Sequence, residues 1–412
     1  MSHLIRSISG IRGIVRSTFT KDLLKQHIRA FLSLQEKGQM LVAYDGRSHG
    51  KEFLEHTAMV IKDAGWDAVN CGLIPTPTAQ FLIKKHEFSG GVIITASHNP
   101  SEWNGMKFID ADACFTSPEK TLKLLKNADD EISPEFSGIG KIKDGSNLWL
   151  EHVRHTLELS ALNLERIKRK SFKVVVDAVN CTGSVILPEL LEKLGCKVYT
   201  LNCNSTGNFS RGAEPLPENL DALCRTVIEK GADLGFATDP DGDRLAVVND
   251  KGQPLGEEFT LPFCMDGFYT ESNTTSPVVV NLSTSMLNDW VCQKHGVQIQ
   301  RSKVGEINVV EKMKEVDNSG HYEADDETGF FFKQLKDIHS RYNVEYIRAL
   351  VLLEKFDEAF IFSKTIHKKN EFFFETNLLL GLNYFIKKNY IEAEKHFDSL
   401  NEISRYNIFF TD

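Results

Sequence analysis

Ser97, His98 and Lys107 stand close together in Thr95-Ala-Ser-His-Asn-Pro100 and the following Ser101-Glu-Trp-Asn-Gly-Met-Lys-Phe108. The apolar run Gly91-Val-Ile-Ile-Thr95 reads as a strand that stops at polar, turn-forming residues. The arrangement lifts the Ser97 hydroxyl off a strand end, with an imidazole beside it and an ammonium within reach. A hydroxyl flanked by a base and a cation suits a transferable phosphoryl group. The same Ser-His-Asn-Pro also reads as an ordinary turn. A second set of residues bears on the choice. Asp239-Pro-Asp-Gly-Asp-Arg244 spaces three carboxylates at i, i+2 and i+4, with Pro and Gly forcing a turn between two strand-like runs. Asp239, Asp241 and Asp243 can converge on one hard cation, and all-oxygen ligands favour Mg2+ or Ca2+ over zinc. The loop lacks the closing glutamate of an EF-hand, and strands rather than helices flank it. A solvated acidic turn is the plainer alternative. Arg244 beside the triad, and Arg12 between Gly10 and Gly13, present guanidinium groups suited to phosphate oxygens.

The elements that must position these residues follow an alternating pattern. Met40-Leu-Val-Ala-Tyr44 reads as a buried strand ending at Asp45-Gly-Arg47, and Asp22–Gln35, Lys51–Ala64 and Gln80–Lys85 read as helices. The segment 127–145 looks like a connection, ahead of a helix over 148–159. A second unit opens with Lys173-Val-Val-Val-Asp177 and continues through strands at 196–202, 232–238 and 245–248, with a helix over 219–230. A third begins near Gly256, with a strand over 277–282, a helix over 286–294 and a strand over 297–302. The spacing predicts consecutive α/β domains with mixed, mainly parallel sheets. Sites in such sheets lie at the carboxyl ends of strands, where the Ser97 loop falls.

Composition narrows the classes. The 412 residues are 41% hydrophobic and 25% charged, with a formal net charge of −9, which fits two to four globular domains. No long basic cluster exists, so a nucleic-acid role has no electrostatic footprint. No apolar run reaches bilayer length and no leader-like segment opens the chain, which predicts a cytoplasmic protein without membrane partners. The 8 cysteines lack paired metal spacing and read as reduced thiols.

The two loops, in this order, resemble the signature loops of the phosphohexomutase family, which includes phosphoglucomutase, phosphomannomutase and phosphoglucosamine mutase. Ser9-Gly-Ile-Arg-Gly13, Glu214-Pro-Leu-Pro-Glu-Asn-Leu220 and Arg301-Ser-Lys-Val-Gly-Glu-Ile-Asn-Val-Val310 resemble it too, and the likeness covers about residues 1–315. The resemblance implies a phosphosugar substrate and interconversion of hexose 1-phosphate and hexose 6-phosphate. It implies a phosphoserine at Ser97 and one Mg2+ per site held by Ser97, Asp239, Asp241 and Asp243. Hexose 1,6-bisphosphate is then activator and intermediate. Lys107 and His98 become candidates for acid–base work, and Arg12, Arg244 and Lys107 for phosphate binding. Family members carry a sugar-selecting Gly-Glu-x-Ser-Gly loop late in the third domain. Here Gly320-His-Tyr-Glu-Ala stands at that distance, with Glu323 as a remnant of the glutamate. The fourth domain's Arg-x-Ser-Gly-Thr loop has no counterpart, because Ser-Gly-Thr occurs nowhere.

From about Leu335 glycine and proline nearly vanish. Gly381, Tyr384, Ala393 and Phe397 fit tetratricopeptide spacing, and a 34-residue shift aligns Phe356 with Tyr390 and Ala359 with Ala393. The expected division is 1–147 with the phosphoserine loop, 148–255 with the metal loop, 256–330 as a partial third α/β domain, and 335–412 as all-α repeats offering a protein partner a surface. Two other readings stand beside the mutase: a catalytically impaired remnant serving as scaffold for the repeats, and a metal-dependent phosphatase.

Overall fold

The computed structural model describes residues 4–7, 10–132, 139–159, 161–272, 274–319, 356–367 and 374–406. Residues 1–314 form one compact unit and residues 315–412 a second.

The first unit is built on three sheets. The first runs β1 (Ile5–Ser7), β2 (Gly10–Ile14), β6 (Trp103–Asp110), β5 (Gly90–Ile94), β3 (Gln39–Tyr44), β4 (Asp67–Leu73) and β7 (Ile142–Asp144) in spatial order. The half built on β3 is parallel, pairing with β4 and β5 and, through β4, with β7. The half built on β6 is antiparallel, pairing with β5 and β2, with β1 outside β2. The sheet is therefore evenly mixed rather than mainly parallel, because the chain turns straight back after the Ser97 loop instead of crossing over by a helix. The strand Trp103–Asp110 was not evident in the sequence, since Asn104, Gly105 and Lys107 all weaken a strand signal. The segment 127–145, expected as a connection, contributes β7.

Strand residues alternate between two apolar layers. Met40, Val42, Val92 and Ile94 pack with α1 (Lys21–Leu32), α2 (Gly50–Asp63) and α4 (Pro118–Asp129), while Leu41, Ala43 and Ile93 pack with α3 (Thr76–Lys85) and the start of α5 (Trp149–Leu157). Helix α1 starts where Thr20 accepts the Leu23 N–H and buries Leu24, Ile28 and Phe31 on one stripe. After α6 (Leu164–Lys170), the second sheet runs β11 (Leu245–Asn249), β10 (Leu234–Thr238), β8 (Lys173–Asp177), β9 (Lys197–Leu201). Its faces are covered by α7 (Gly183–Lys193) and α8 (Asp221–Lys230). The third sheet pairs β12 (Val278–Asn281) with β13 (Ile299–Ser302) in parallel beside α9 (Thr260–Glu271) and α10 (Leu287–His295), and α11 (Glu306–Ser319) follows.

The second unit contains helices Phe356–His367, Phe374–Ile386 and Tyr390–Tyr406. A Cβ on Gly381 would lie 2.6 Å from the Phe397 ring, so the last two helices cross closely there. No helix among the described residues is long and apolar enough to cross a membrane.

Candidate active site

The β5–β6 hairpin carries the first half of the site. Its connection spans 95–102, with Ser97 in the left-handed region at φ 52 and 4% exposed. Such a backbone is strained for a serine and persists only when its surroundings hold it. Thr95 does so locally: its Oγ1 accepts the Ser97 N–H at 2.8 Å and donates to Asp45 Oδ2 at 2.7 Å. Arg47, at the carboxyl end of β3, donates to the carbonyls of Ser97, Asn99, Pro100 and Trp103 at 2.6–3.0 Å. His49 braces the same loop from α2's start, its ring nitrogens 3.1 Å from the Ser101 carbonyl and 3.0 Å from Asn104 Nδ2.

The second half is the turn between β10 and β11. One oxygen from each of Asp239, Asp241 and Asp243 lies within 4.8 Å of the others. This turn meets the Ser97 loop directly: Ser97 Oγ is 3.5 Å from Asp239 Oδ2 and 3.3 Å from His98 Nδ1. Lys107, on β6 opposite Ile93, donates to Asp241 Oδ2 at 2.6 Å and Asp243 Oδ2 at 2.9 Å. Thr76 at the start of α3 adds a hydroxyl to Asp241 Oδ2 at 2.8 Å.

The electrostatics follow from this crowding. Burial together with the charges of Asp241 and Asp243 raises the Asp239 carboxyl well above its usual range. Burial pushes Asp241 up as well, but Lys107 and Thr76 overcome it and hold the group below the ordinary value. Burial disfavours the Lys107 ammonium, yet its two carboxylate partners hold its pKa above normal. Burial, then Arg244 and Arg12, push His98 down to about 4, so its imidazole is neutral at pH 7. Oδ1 of Asp241 is buried with no hydrogen-bond partner among the described residues. Converging carboxylate oxygens, one of them orphaned beside a hydroxyl, form a donor set that fits a hard divalent cation. Zinc, which prefers nitrogen and sulfur, fits it poorly.

The structure brings together Ser97, His98, Lys107, Asp239, Asp241 and Asp243. Arg12 borders them, donating to Asn99 Oδ1 at 3.1 Å, and Arg244 is paired with Glu214 and donates its N–H to Asp239 Oδ1 at 3.1 Å. Glu323 lies outside the described residues. Sequence reasoning missed Arg47, Asp45 and Thr76, which act through contacts between distant segments; the one available signal was Asp45-Gly-Arg47 closing a buried strand. It also missed Glu306, exposed at the head of α11, which accepts from Gln80 Nε2 at 2.7 Å. Desolvation raises its carboxyl pKa, and Asp243 and Asp241 nearby add to that.

Models of the phosphoglucomutase/phosphomannomutase α/β/α domains I, II and III match residues 4–135, 148–252 and 260–330. A protein of Methanopyrus kandleri named "Probable phosphoglucosamine mutase" is 32% identical over 309 residues, 74% of this chain and 67% of that one. A "Phosphoglucomutase/phosphomannomutase" of Thermococcus kodakarensis is 30% identical over 333 residues, 78% and 71% of the two chains. The crystal structure of a phosphoglucomutase/phosphomannomutase family protein from Burkholderia thailandensis superposes with a TM-score of 0.63 at 25% identity, over 76% of this chain and 69% of that one. The chain thus spans about two thirds of the length of these relatives. With the serine loop in the first matched domain and the aspartate loop in the second, the order of domains and the order of loops agree, and the chain belongs to the phosphoglucomutase/phosphomannomutase family.

Proposed function

We propose that this protein is a phosphohexomutase, an intramolecular phosphotransferase that interconverts hexose 1-phosphate and hexose 6-phosphate through phospho-Ser97 and a hexose 1,6-bisphosphate. One observation carries the reading: Ser97 Oγ and Asp239 Oδ2, 142 positions apart in sequence, meet at 3.5 Å. Mg2+, held by Asp239, Asp241, Asp243 and the Ser97 oxygen, would neutralise charge on the phosphoryl oxygens. A sugar hydroxyl attacks the phosphorus of phospho-Ser97, a P–O bond to the sugar forms, the bond to Oγ breaks, and the proton of the sugar hydroxyl passes to Oγ, which leaves as the serine hydroxyl. In the return step Oγ attacks the other phosphate of the bisphosphate, the bond from that phosphorus to the sugar oxygen breaks, and the proton given up by Oγ ends on the released sugar hydroxyl. Neutral His98, 3.3 Å away through Nδ1, is placed to accept that proton first. Lys107 is held charged by two carboxylates, so it serves as a fixed cation rather than a base. Arg12 and Arg244 border the site as phosphate ligands, and Glu323 is kept as a sugar contact on the sequence resemblance alone.

The division into 1–147, 148–255, 256–330 and 335–412 belongs to the same proposal, supported by the three sheets and the matched domains. The helices beginning at Phe356 and Tyr390, 34 positions apart, with Ala359 and Ala393 buried, support a tetratricopeptide-like pair open to a protein partner.

The test is direct. Purified chain is incubated with Mg2+, a trace of glucose 1,6-bisphosphate, and glucose, mannose or glucosamine 1-phosphate, and followed by phosphorus NMR with mass spectrometry of Ser97. A 6-phosphate product with phosphate on Ser97 is expected. Free phosphate as the only product would replace the mutase by a phosphatase, and no turnover with an unmodified Ser97 would end the enzymatic reading.

A further inference from the structure

We propose that Arg47 is a positioning residue that presets the Ser97 loop for phosphoryl transfer, a role that rests on the mutase reading. Arg47 is 1% exposed, and each of its five guanidinium hydrogens has an acceptor. Nε donates to Asp45 Oδ2 at 3.0 Å. Nη1 donates to the carbonyls of Pro100 at 2.6 Å and Trp103 at 3.0 Å. Nη2 donates to those of Ser97 and Asn99, both at 2.7 Å. A buried guanidinium is costly unless its hydrogens are all matched, and here the matching set is the loop itself. Drawing those carbonyls inward fixes the loop from Ser97 to Trp103, while Asp45 Oδ2, shared between Arg47 Nε and Thr95 Oγ1, ties in the side before Ser97, so the strained residue stays in its left-handed conformation. A lysine offers three hydrogens from one point and cannot reach Asp45 and the four carbonyls from Ser97 to Trp103 together.

The far side of Arg47 is held by the second domain. The Phe209 ring lies over the guanidinium, 4.9 Å from centroid to Cζ. The segment carrying Phe209 sits directly on Gly46, since a Cβ on Gly207 would fall 2.0 Å from the Gly46 carbonyl oxygen. That segment hangs on Asn180, whose N–H donates to the Asn202 carbonyl at 2.6 Å and whose Nδ2 donates to the Asn208 carbonyl at 2.9 Å. The Gly207 N–H returns to the Asn180 carbonyl at 3.0 Å. Val179 and Asn180 both have positive φ, 46 and 59, and a β-branched residue there is an outlier. The same turn holds the aspartate loop, through Thr182 Oγ1 donating to the Pro240 carbonyl at 2.8 Å. One strained turn therefore sets both the carboxylates and, through Phe209 and Arg47, the serine they face.

The experiment compares full-length wild type, Arg47→Lys and Phe209→Leu. Initial rates of Ser97 phosphorylation by glucose 1,6-bisphosphate with Mg2+ are measured alongside kcat, KM and amide hydrogen exchange. For Arg47→Lys, phosphorylation and kcat are expected to fall about 10²-fold with KM little changed, the cost of a displacement of about 1 Å at the reacting atoms. Exchange should quicken across 95–103 while α2 and β4 peptides keep wild-type rates. Phe209→Leu, which leaves every hydrogen bond of Arg47 in place, should show a smaller shift of the same kind and covers the case in which the lysine variant does not fold. Wild-type exchange across 95–103 in the variants, or exchange quickened equally throughout the first sheet, overturns the proposal. A wild type that takes no phosphate on Ser97 overturns the mutase reading instead, and the exchange pattern still decides what Arg47 does.

Discussion

Asp239, Asp241 and Asp243 crowd three carboxylates against one directly bonded ammonium, that of Lys107. Without a cation this is repulsive, so Asp239→Asn should raise the metal-free melting temperature. A relief of about 1 kcal/mol corresponds to about 2–4 °C for a body of this size. The same variant should lose any stabilisation by Mg2+, and calorimetry with and without the metal checks both halves. His27 is buried on the inner face of α1. Its Nδ1 lies 2.7 Å from the Leu23 carbonyl, and its Nε2 has no partner among the described residues. Burial lowers its pKa below the ordinary value, so the unfolded chain binds this proton more readily. Stability from this group is present above about pH 6.5 and falls as pH drops below it, by at most about 1.4 kcal/mol per pH unit. Denaturant melts at pH 5 and 7 should show that loss, and His27→Leu should reduce it. Ser97 and the aspartates were legible in the sequence because their chemistry is written in consecutive residues. Arg47 was not, because each of its loop acceptors lies fifty or more positions away.

At the scale of elements, the β5–β6 hairpin does most of the positioning, and its tightest point is Gly105. A Cβ there would lie 2.4 Å from the Ile11 carbonyl oxygen and 2.6 Å from that of Thr95. Both are backbone atoms, one in β2 and one directly after β5, and cannot yield without moving the sheet. Gly105→Ala should destabilise by about 1–3 kcal/mol and slow Ser97 phosphorylation along with it. Thr20→Ala is the matched control: loss of the α1 cap should cost about 1 kcal/mol and leave phosphorylation untouched. Denaturation curves and initial rates separate the two variants. Apolar runs such as Met40–Tyr44 and Lys173–Asp177 announced the central strands, since burial on both faces demands it. The strand that carries Lys107 did not, because a buried lysine looks polar until its two carboxylates are seen.

For the whole molecule, the division into residues 1–314 and 315–412 predicts two calorimetric transitions. Mg2+ should raise only the one belonging to the first unit, by about 2.7 kcal/mol at one hundred times its dissociation constant. A single transition, or two that move together, would show the units unfold as one. The change of texture near Leu335 was readable because Gly and Pro mark α/β turns and are scarce in stacked helices. Which loops would face one another was not readable, because that depends on how sheets pack.

The pairing of Ser97 with Asp239 also has a consequence for biosynthesis. The hydroxyl and the carboxylate opposite it are separated by 142 positions, so at the usual pace of translation the second leaves the ribosome roughly 7–28 s after the first. During that interval the hairpin can close, since its strands are neighbours in sequence, while the phosphoryl acceptor has no aspartate loop to face. If Ser97 carries phosphate as proposed, the phosphate is gained only by chains in which the second domain has emerged and docked.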